Sequence, residues 1–230
     1  KLIFIKFYTN TWASCIRLDV ETLRSPEVQA ISNEHLISLK YNAKDEIGNK
    51  LYKQYNCQFV PHLLFLDAQG NEVDRIIGFI PPTEYLLKLN DIINKRNTLD
   101  DYLSKYEKGD QNAEIIAAIA TKYEDRKDKN NAAKFYKILI EKYPDPNSNL
   151  YKNGKFFLAS YAFEKGNDNA LRNYIKGNPN SDFLYDAYRK MTHFYANNNN
   201  QKKEIQVYEE MLIAFPNDPN ALNSYAWRMA

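Results

Sequence analysis

Cysteine is scarce in this chain of 230 residues, which contains only Cys15 and Cys57. Two cysteines are too few for the disulfide framework that holds many small secreted domains together. The three histidines, His35, His62 and His193, show no metal-ligand spacing with the cysteines, and no glycine-rich phosphate loop is present. The sequence therefore predicts neither a metal site nor a cofactor.

Long apolar runs and an excess of one charge are also missing. No stretch approaches the roughly 20 apolar residues that a membrane-spanning helix requires. The 31 basic and 29 acidic residues leave a formal charge of +2, which gives no electrostatic signature of nucleic-acid binding. Hydrophobic residues make up 44% of the chain and charged residues 26%, as is usual for a folded protein. We expect no nucleic-acid partner and no integral membrane segment.

The first ninety or so residues alternate between strand-like and helix-like patterns. Short runs rich in β-branched and aromatic residues predict strands, and apolar residues one turn apart predict helices. Pro26 should interrupt the first long helix, and Thr83 is the expected N-cap of the last one. The expected strands cover residues 2–7, 36–41, 63–66 and 73–77, and the expected helices cover 19–31, 46–55 and 83–93. This alternation indicates a layered α/β domain.

From about Leu99 the pattern becomes helical and stays so to the end of the chain. Pro144, Pro179 and Pro216 are spaced by 35 and 37 residues, and a period near ~34 residues is typical of repeated helix–turn–helix units. The sequence therefore divides into an α/β domain at residues 1–96 and an all-α repeat domain at residues 97–230. An irregular helical bundle is the alternative interpretation of the second part.

The helical part resembles tetratricopeptide repeats. In a first unit counted from Ala113, the small and large packing positions of that family fall on apolar and aromatic residues, and Pro144 closes the unit. The second helix of a middle unit is expected to be short, because Pro179 comes early. A third unit has Glu204 where the family prefers a small residue, and a fourth begins at Pro219.

The segment at residues 7–19, which contains Trp12 and Cys15, resembles the active-site segment of the thioredoxin family. That family carries Trp-Cys-x-x-Cys where a strand leads into a helix. Val60, Pro61 and His62 resemble the loop that holds the family's cis-proline, and Gly78 falls where the family has a late glycine. The resemblance covers about residues 1–95 and implies a thioredoxin-like fold.

The sequence departs from the family pattern at the residues that carry out disulfide exchange. If Cys15 is the second cysteine of the motif, Trp12 stands in place of the attacking cysteine and Lys6 in place of a buried acidic residue. A shifted alignment leaves Ala13 and Ile16 at the cysteine positions, so no register restores the pair. Disulfide exchange requires an attacking thiolate and a resolving thiol. The sequence therefore predicts no ordinary dithiol chemistry.

The two cysteines are open to more than one interpretation. Cys15 is expected near a helix N-terminus, where it either forms a mixed disulfide with a client or acts as a small buried residue. Cys57 is expected in the core. A disulfide between the two cannot be judged without the separation of their Cα atoms.

The expected binding residues lie in both domains. Thioredoxin-like proteins pair extended peptides beside the cis-proline, so Trp12, Cys15, Val60, Pro61 and His62 are candidates for peptide contact. Trp12 packed against the loop, without a peptide, is the alternative. In the repeat region, the first helix of each unit lines the concave surface. This places Lys152, Lys155, Arg189 and His193 as candidates for contact with acidic or C-terminal peptide segments.

The combination of domains is similar to the chaperedoxins, which join a thioredoxin-like domain with a degraded redox pair to tetratricopeptide repeats. That resemblance implies a protein that holds unfolded clients and forms mixed disulfides through its surviving cysteine. We therefore expect a non-catalytic scaffold or holdase for protein or peptide clients. The alternatives are a thiol-disulfide oxidoreductase acting through Cys15 and a structural adaptor. Similarity to exported bacterial thioredoxins favours a periplasmic or exported location over a cytoplasmic one.

Overall fold

The computed structural model describes residues 1–229, so Ala230, the last residue of the expected repeat domain, lies outside it. Contacts between Cα atoms divide the chain into two compact units, Lys1–Phe135 and a second unit that begins at Tyr136. The expected domain boundary between residues 96 and 97 thus falls within the first unit. That residues 1–96 and 97–230 fold as separate domains stays a prediction.

The first unit contains a four-stranded sheet with the order β2-β1-β3-β4. Strand β1 pairs parallel with β2 and antiparallel with β3, and β3 pairs antiparallel with β4. The strands are β1 Leu2–Tyr8, β2 Leu36–Asn42, β3 His62–Leu66 and β4 Glu72–Ile77. Each strand expected from the sequence is present, with bounds that agree to within one residue.

Four helices accompany this sheet: α1 Ala13–Arg17, α2 Pro26–His35, α3 Glu46–Gln54 and α4 Pro82–Ile93. A π-helical turn, Leu18–Leu23, follows α1 directly. The helix expected over 19–31 is therefore broken before Pro26, because proline fits the first turn of a helix but not its interior. The expectation that Thr83 caps the last helix is wrong: Pro81 holds the N-cap position and α4 begins at Pro82.

Both faces of the sheet are covered by apolar side chains. Alternate residues of β1 point to opposite faces, so Phe4 packs with Phe65 on one face, at 5.2 Å between ring centroids, and Phe7 packs with Tyr52 of α3 on the other. Tyr85 of α4 is fully buried in the first of these cores. The predicted architecture, an α/β sheet domain followed by an all-helical region, is confirmed.

The helical region begins with α5 Leu99–Glu107, α6 Ala113–Asp125 and α7 Lys129–Lys142, and continues with α8 Asn149–Glu164, α9 Ala170–Gly177, α10 Leu184–Asn197, α11 Gln201–Ala214 and α12 Pro219–Met229. Pro144, Pro179 and Pro216 each follow the end of a helix by two residues. Helix α9 has only eight residues, so the short second helix of the middle unit is confirmed. No helix within residues 1–229 combines the length and apolar character needed to cross a bilayer.

Two contacts show how neighbouring helices pack in the second unit. Gly154 of α8 lies against the side chains of Tyr136 and Ile140, and a Cβ there would come within 3.1 Å of Ile140. Glu204, unusual for its position in the repeat, is 2% exposed and accepts a hydrogen bond of 2.8 Å from Arg228 of α12. The buried carboxylate therefore has the charged partner that it requires.

A buried ionic cluster joins β4 to α6 within the first unit. Asp74 pairs with Lys122, and Glu72 lies 2.9 Å from Arg126. Arg75 donates to the carboxylate of Glu72 and, at 3.0 Å, to the carbonyl at the C-terminal end of α6. Because these charges are largely hidden from water, removal of one partner leaves the other uncompensated.

We expect Asp74→Asn to lower the free energy of unfolding by about 3 kcal/mol, since the substitution leaves Lys122 without its buried counter-charge. Urea unfolding followed by circular dichroism measures the change. Glu84→Gln is the control, because Glu84 and Lys88 form an exposed pair 3.8 Å apart and its loss should cost less than about 1 kcal/mol. Equal effects of the two substitutions would contradict the role given to the cluster.

Candidate functional site

Lys6 is buried at the centre of the sheet and is paired with Asp19. Its side chain is 2% exposed, lies on β1 between β2 and β3, and donates to the carboxylate of Asp19 in the π-helical turn. Lys40 of β2 approaches the other oxygen of Asp19 at 3.2 Å. Burial lowers the pKa of Lys6, against the opposing effect of the hydrogen bond with Asp19. The pair fixes the π-helical turn, and with it the end of α1, against the sheet.

The same pair changes the acidity of Asp19. Burial by itself raises the pKa of this carboxyl group, but the hydrogen bond from Lys6 and the charges of Lys6 and Lys40 outweigh burial and hold the pKa below its usual value. Asp19 is therefore ionised at neutral pH and provides no proton for exchange chemistry.

The start of α1 has an exposed tryptophan and a buried cysteine. Trp12 is the N-cap residue and is 58% exposed, whereas Cys15, one turn further on, is 2% exposed. The N–H of Cys15 donates to the carbonyl of Trp12 at 2.9 Å, which closes the first turn of the helix. A thiol in this position does not meet a disulfide in solution without local opening.

Three apolar side chains spaced by four residues form an exposed stripe along the start of the helix. Trp12, Ile16 and Val20, which we call the tryptophan stripe, are each more than half exposed. Arg17 lies beside the stripe, with its guanidinium carbon 3.9 Å from the centroid of the Phe79 ring. Exposed apolar side chains in this arrangement mark a surface that can bind another molecule.

The loop before β3 lies next to this helix through the segment at Gly78 and Phe79. The Val60–Pro61 peptide bond is cis, as the family's loop requires, and the carbonyl of Pro61 accepts a hydrogen bond of 2.8 Å from the N–H of Gly78. Gly78 has a φ of 87°, a conformation that favours glycine. Phe59, two residues before Pro61, is 66% exposed.

His62 differs from the other candidates of this loop because it faces the interior. It is the first residue of β3, is completely buried, and its ring lies edge-on to Tyr52 at 6.5 Å. Burial, together with the charge of Arg75, lowers the pKa of His62 to about 3, and the backbone of Phe59 counteracts this only in part. A neutral, buried imidazole offers no surface for contact with a peptide.

Cys57 is also an interior residue. It is 3% exposed and packs in the core that α3 forms with the sheet. Burial is the main cause that raises the pKa of its thiol to about 12. Both Cys15 and Cys57 are free thiols, and no disulfide joins them.

In the second unit the four expected binding residues lie in three places. Lys152 and Lys155 line one cleft between α8 and α9. His193 lines another cleft, between α8 and α10, into which the buried hydroxyl of Ser160 faces without a hydrogen-bond partner inside residues 1–229. Arg189 is exposed and lies 3.7 Å from Asp186. Lys152 and Lys155 thus share one cleft, His193 lines a second, and Arg189 lines neither of these two; that the four side chains contact a peptide stays a prediction.

Several residues of the site are not identified by the sequence. Asp19 carries no motif signal, and its pairing with Lys6 follows only from the packing of helix on sheet. Ile16 and Phe59 look like ordinary core residues in the sequence but are exposed. The spacing of Trp12, Ile16 and Val20 by four was the one available signal. Within residues 1–229 no group of histidine, cysteine or acidic side chains is arranged to hold a metal ion.

The buried His62 predicts a specific dependence of stability on pH. Its folded-state pKa of about 3 lies below the unfolded value of about 6.5, so the unfolded chain binds the proton more tightly. The contribution of neutral His62 is present above about pH 6.5 and is lost as the pH falls. Between about pH 7 and pH 4 the wild type should lose about 3 kcal/mol more stability than His62→Phe.

Urea unfolding of both proteins at the two pH values measures this difference. His193→Phe is the matched control, because its imidazole is exposed and its removal should leave the pH dependence of the wild type. Parallel pH profiles for the wild type and His62→Phe would show that the buried imidazole does not control acid stability.

Thiol accessibility provides a second test. Because Cys15 is buried and Cys57 is both buried and weakly acidic, iodoacetamide at about pH 8 should alkylate both much more slowly in the native protein than in concentrated guanidinium chloride, by at least about 100-fold. Mass spectrometry of the alkylated peptides distinguishes the two sites. Rapid native alkylation of Cys15 would show that the thiol is open to solvent.

Comparisons with known proteins agree with this geometry. The family model described as a thioredoxin-like domain matches residues 1–93. The thiol:disulfide interchange protein DsbD of Cronobacter sakazakii is 28% identical over 93 residues, which are 39% of this chain and 16% of that protein. The chain therefore spans less than a fifth of the length of that relative.

Solved structures of low sequence identity are also similar. A thioredoxin from Thermus thermophilus has 22% identity and a TM-score of 0.37, with 40% of this chain and 73% of that one covered. The oxidised C-terminal domain of DsbD from Neisseria meningitidis has 23% identity and a TM-score of 0.35, with 40% and 79% covered. The family match, the order of the sheet and the cis-proline loop identify residues 1–93 as a thioredoxin-like domain.

Proposed function

We propose that this protein is a non-catalytic scaffold or chaperone-like holdase that binds protein segments through a redox-disabled thioredoxin-like domain. The observation that carries the proposal is the arrangement at α1. An exposed Trp12 stands where the family places its attacking cysteine, and the remaining Cys15 is buried. This arrangement supports adhesion to apolar segments and opposes disulfide exchange.

The backbone beside the cis-proline supports binding of an extended peptide. Within residues 1–229, neither the N–H nor the C=O of Val60 forms a backbone hydrogen bond. These groups are available to pair with a client in strand-addition mode, which requires no thiol. The exposed side chains of Phe59 and the tryptophan stripe are the apolar groups proposed to contact the client.

The energetics favour Trp12 as the main anchor. Tryptophan is enriched among residues that dominate binding energies, since its large ring gains a full apolar contact with only two side-chain torsions to restrict. Burial of the exposed part of such a ring contributes on the order of 2 kcal/mol. Weak contacts of this size suit a protein that must also release its clients.

The helical region is proposed to provide its own contacts with clients. Its helix pairs, with a proline after each unit, support a tetratricopeptide-like array and hence an architecture similar to the chaperedoxins. Lys152, Lys155, Arg189 and His193 remain proposed contacts for acidic or C-terminal peptide segments, although they lie in separate places.

A thiol-disulfide function through Cys15 is the second candidate. Cys15 carries a free thiol in the first turn of α1, where the thioredoxin family has its motif. The similarity to a thiol:disulfide interchange protein is the second observation in its favour. The same similarity supports a periplasmic or exported location over a cytoplasmic one, because disulfide exchange with client proteins belongs to oxidising compartments.

Trp12→Ala should weaken binding to an unfolded client at least tenfold, which corresponds to about 1.4 kcal/mol. The measurement is suppression of light scattering by a chemically unfolded protein, with apparent affinity from a titration of the full chain. Leu87→Ala is the matched control, since Leu87 is an equally exposed apolar side chain on α4. Equal loss in both variants, or no loss in either, contradicts the assigned surface.

Insulin reduction separates the two candidate functions. The proposal expects no turnover above background for the wild type, and equal client holding by the wild type and Cys15→Ser. Turnover comparable to that of an ordinary thioredoxin, abolished in Cys15→Ser, would overturn the binding-protein proposal in favour of thiol chemistry.

A further inference from the structure

A cleft of about 210 Å³ lies in the second unit between α8 and α9. Its walls come from the start of α8, which contributes Tyr151, Lys152 and Lys155, and from Tyr174 near the end of α9 together with the loop at residues 178–181. At about 30 Å³ for each water molecule, the volume equals roughly seven waters. A side chain or a small molecule fits this space, and a folded domain does not.

The wall formed by α9 and the loop is held in place by its own hydrogen bonds. The hydroxyl groups of Tyr174 and Ser181 are 2.7 Å apart, and the amide of Asn178 donates to the carbonyl of Tyr174 at 2.7 Å. Ser181 also accepts from the N–H of Phe183 at 3.1 Å. The cleft is therefore shaped before a ligand arrives, which reduces the entropy lost on binding.

The charged side chains that line the cleft are both basic, although Asp182 lies close enough to interact with Tyr174 of its wall. Lys152 and Lys155 line it, and no carboxylate does so. Neither lysine forms an ion pair within the described part of the chain, and Lys155 Nζ lies 6.0 Å from the centroid of the Tyr151 ring. Two cations without counter-charges at one cleft favour an anionic ligand.

The rest of the lining is apolar or neutral. The rings of Tyr151 and Tyr174 and two prolines provide apolar wall, and the polar groups are amides and a hydroxyl. This composition accommodates a short carbon stem below a charged group. The positive charges of both lysines repel a cationic ligand. A neutral ligand provides no negative charge to pair with the two ammonium groups.

We propose that the cleft between α8 and α9 binds a carboxylate carried on a short apolar stem, as in a glutamate side chain of a client segment. The carboxylate accepts from Lys152 and Lys155, and its stem lies against the two tyrosine rings. This inference rests on the proposed function, because it takes the carboxylate to belong to a protein client. It defines one chemical requirement for clients, an acidic side chain flanked by apolar residues.

The experiment uses blocked tripeptides with the full chain. Acetyl-Phe-Glu-Phe-amide and its neutral counterpart acetyl-Phe-Gln-Phe-amide are titrated separately, and binding is followed by amide chemical shifts in ¹H–¹⁵N NMR spectra. Succinate is titrated in a third arm, because a free small carboxylate offers the same chemistry without a peptide. The glutamate peptide should bind at least tenfold more tightly than the glutamine peptide and succinate, with shifts concentrated at residues 151–155 and 178–181.

Two double variants with the same change of net charge test the assignment. Lys152→Ala/Lys155→Ala should weaken the glutamate peptide at least tenfold. Lys176→Ala/Lys202→Ala removes two exposed lysines of the same unit that do not line the cleft, and should bind as the wild type does. Retained NMR dispersion in both variants verifies that they are folded.

Four results would overturn the inference: equal binding of the two peptides, equal weakening by the two double variants, absence of binding to the wild type at millimolar peptide, and tighter binding of succinate than of the glutamate peptide. The last result assigns the cleft to free small carboxylates. The experiments distinguish failure of this inference from failure of the proposed function. If Trp12→Ala does not weaken client binding but Lys152→Ala/Lys155→Ala weakens the glutamate peptide, only the proposed function fails. If the opposite results are obtained, only the inference about the cleft fails.

Discussion

The ion pair between Lys6 and Asp19 is the constraint on which the N-terminal site depends. Lys6 lies on the central strand β1 and is 2% exposed, so its ammonium group requires a counter-charge. An isolated buried cation is strongly unfavourable. Asp19 supplies that charge from the π-helical turn, so the turn and the helix before it are held at one position on the sheet. That position leaves Trp12 facing solvent and Cys15 facing the interior.

Much of the fold was predictable from the sequence, because its signals are local. Short apolar runs such as residues 63–66 identify strands directly, and the prolines at 144, 179 and 216 mark helix ends. The loop at Pro61 carries a motif. Thr83 was misplaced because Pro81 and Pro82 offer a competing start for the same helix, and proline at the first helical position prevails.

The candidate site was only partly predictable, since its decisive contacts join residues that are distant in sequence. The pairing of Lys6 with Asp19 depends on helix packing and leaves no periodic pattern. His62 looks like a neighbour of the exposed loop, but it is the first residue of a strand buried on both faces. Likewise, Lys152 and His193 line different clefts although both were placed on one surface by the repeat register.

The ionic cluster around Asp74 shows that the N-terminal fold extends beyond its sheet. Glu72, Asp74 and Arg75 of β4 face charges of α6, so the first helices after residue 96 complete the burial of that strand. A truncation at the expected domain boundary removes Lys122 and leaves the carboxylate of Asp74 without its main partner. In agreement with this, the first compact unit includes α5 and α6 and ends at Phe135.

The buried positive charge of Lys6 limits which substitutions the N-terminal site accepts. Dithiol chemistry of the thioredoxin type would require a cysteine at position 12 and an acidic residue at position 6. The second change alone would place two carboxylates together in a poorly hydrated space beside Asp19. A carboxylate at position 6 is therefore unfavourable until Asp19 also changes, so the buried pair constrains this position far more tightly than an exposed position such as Trp12.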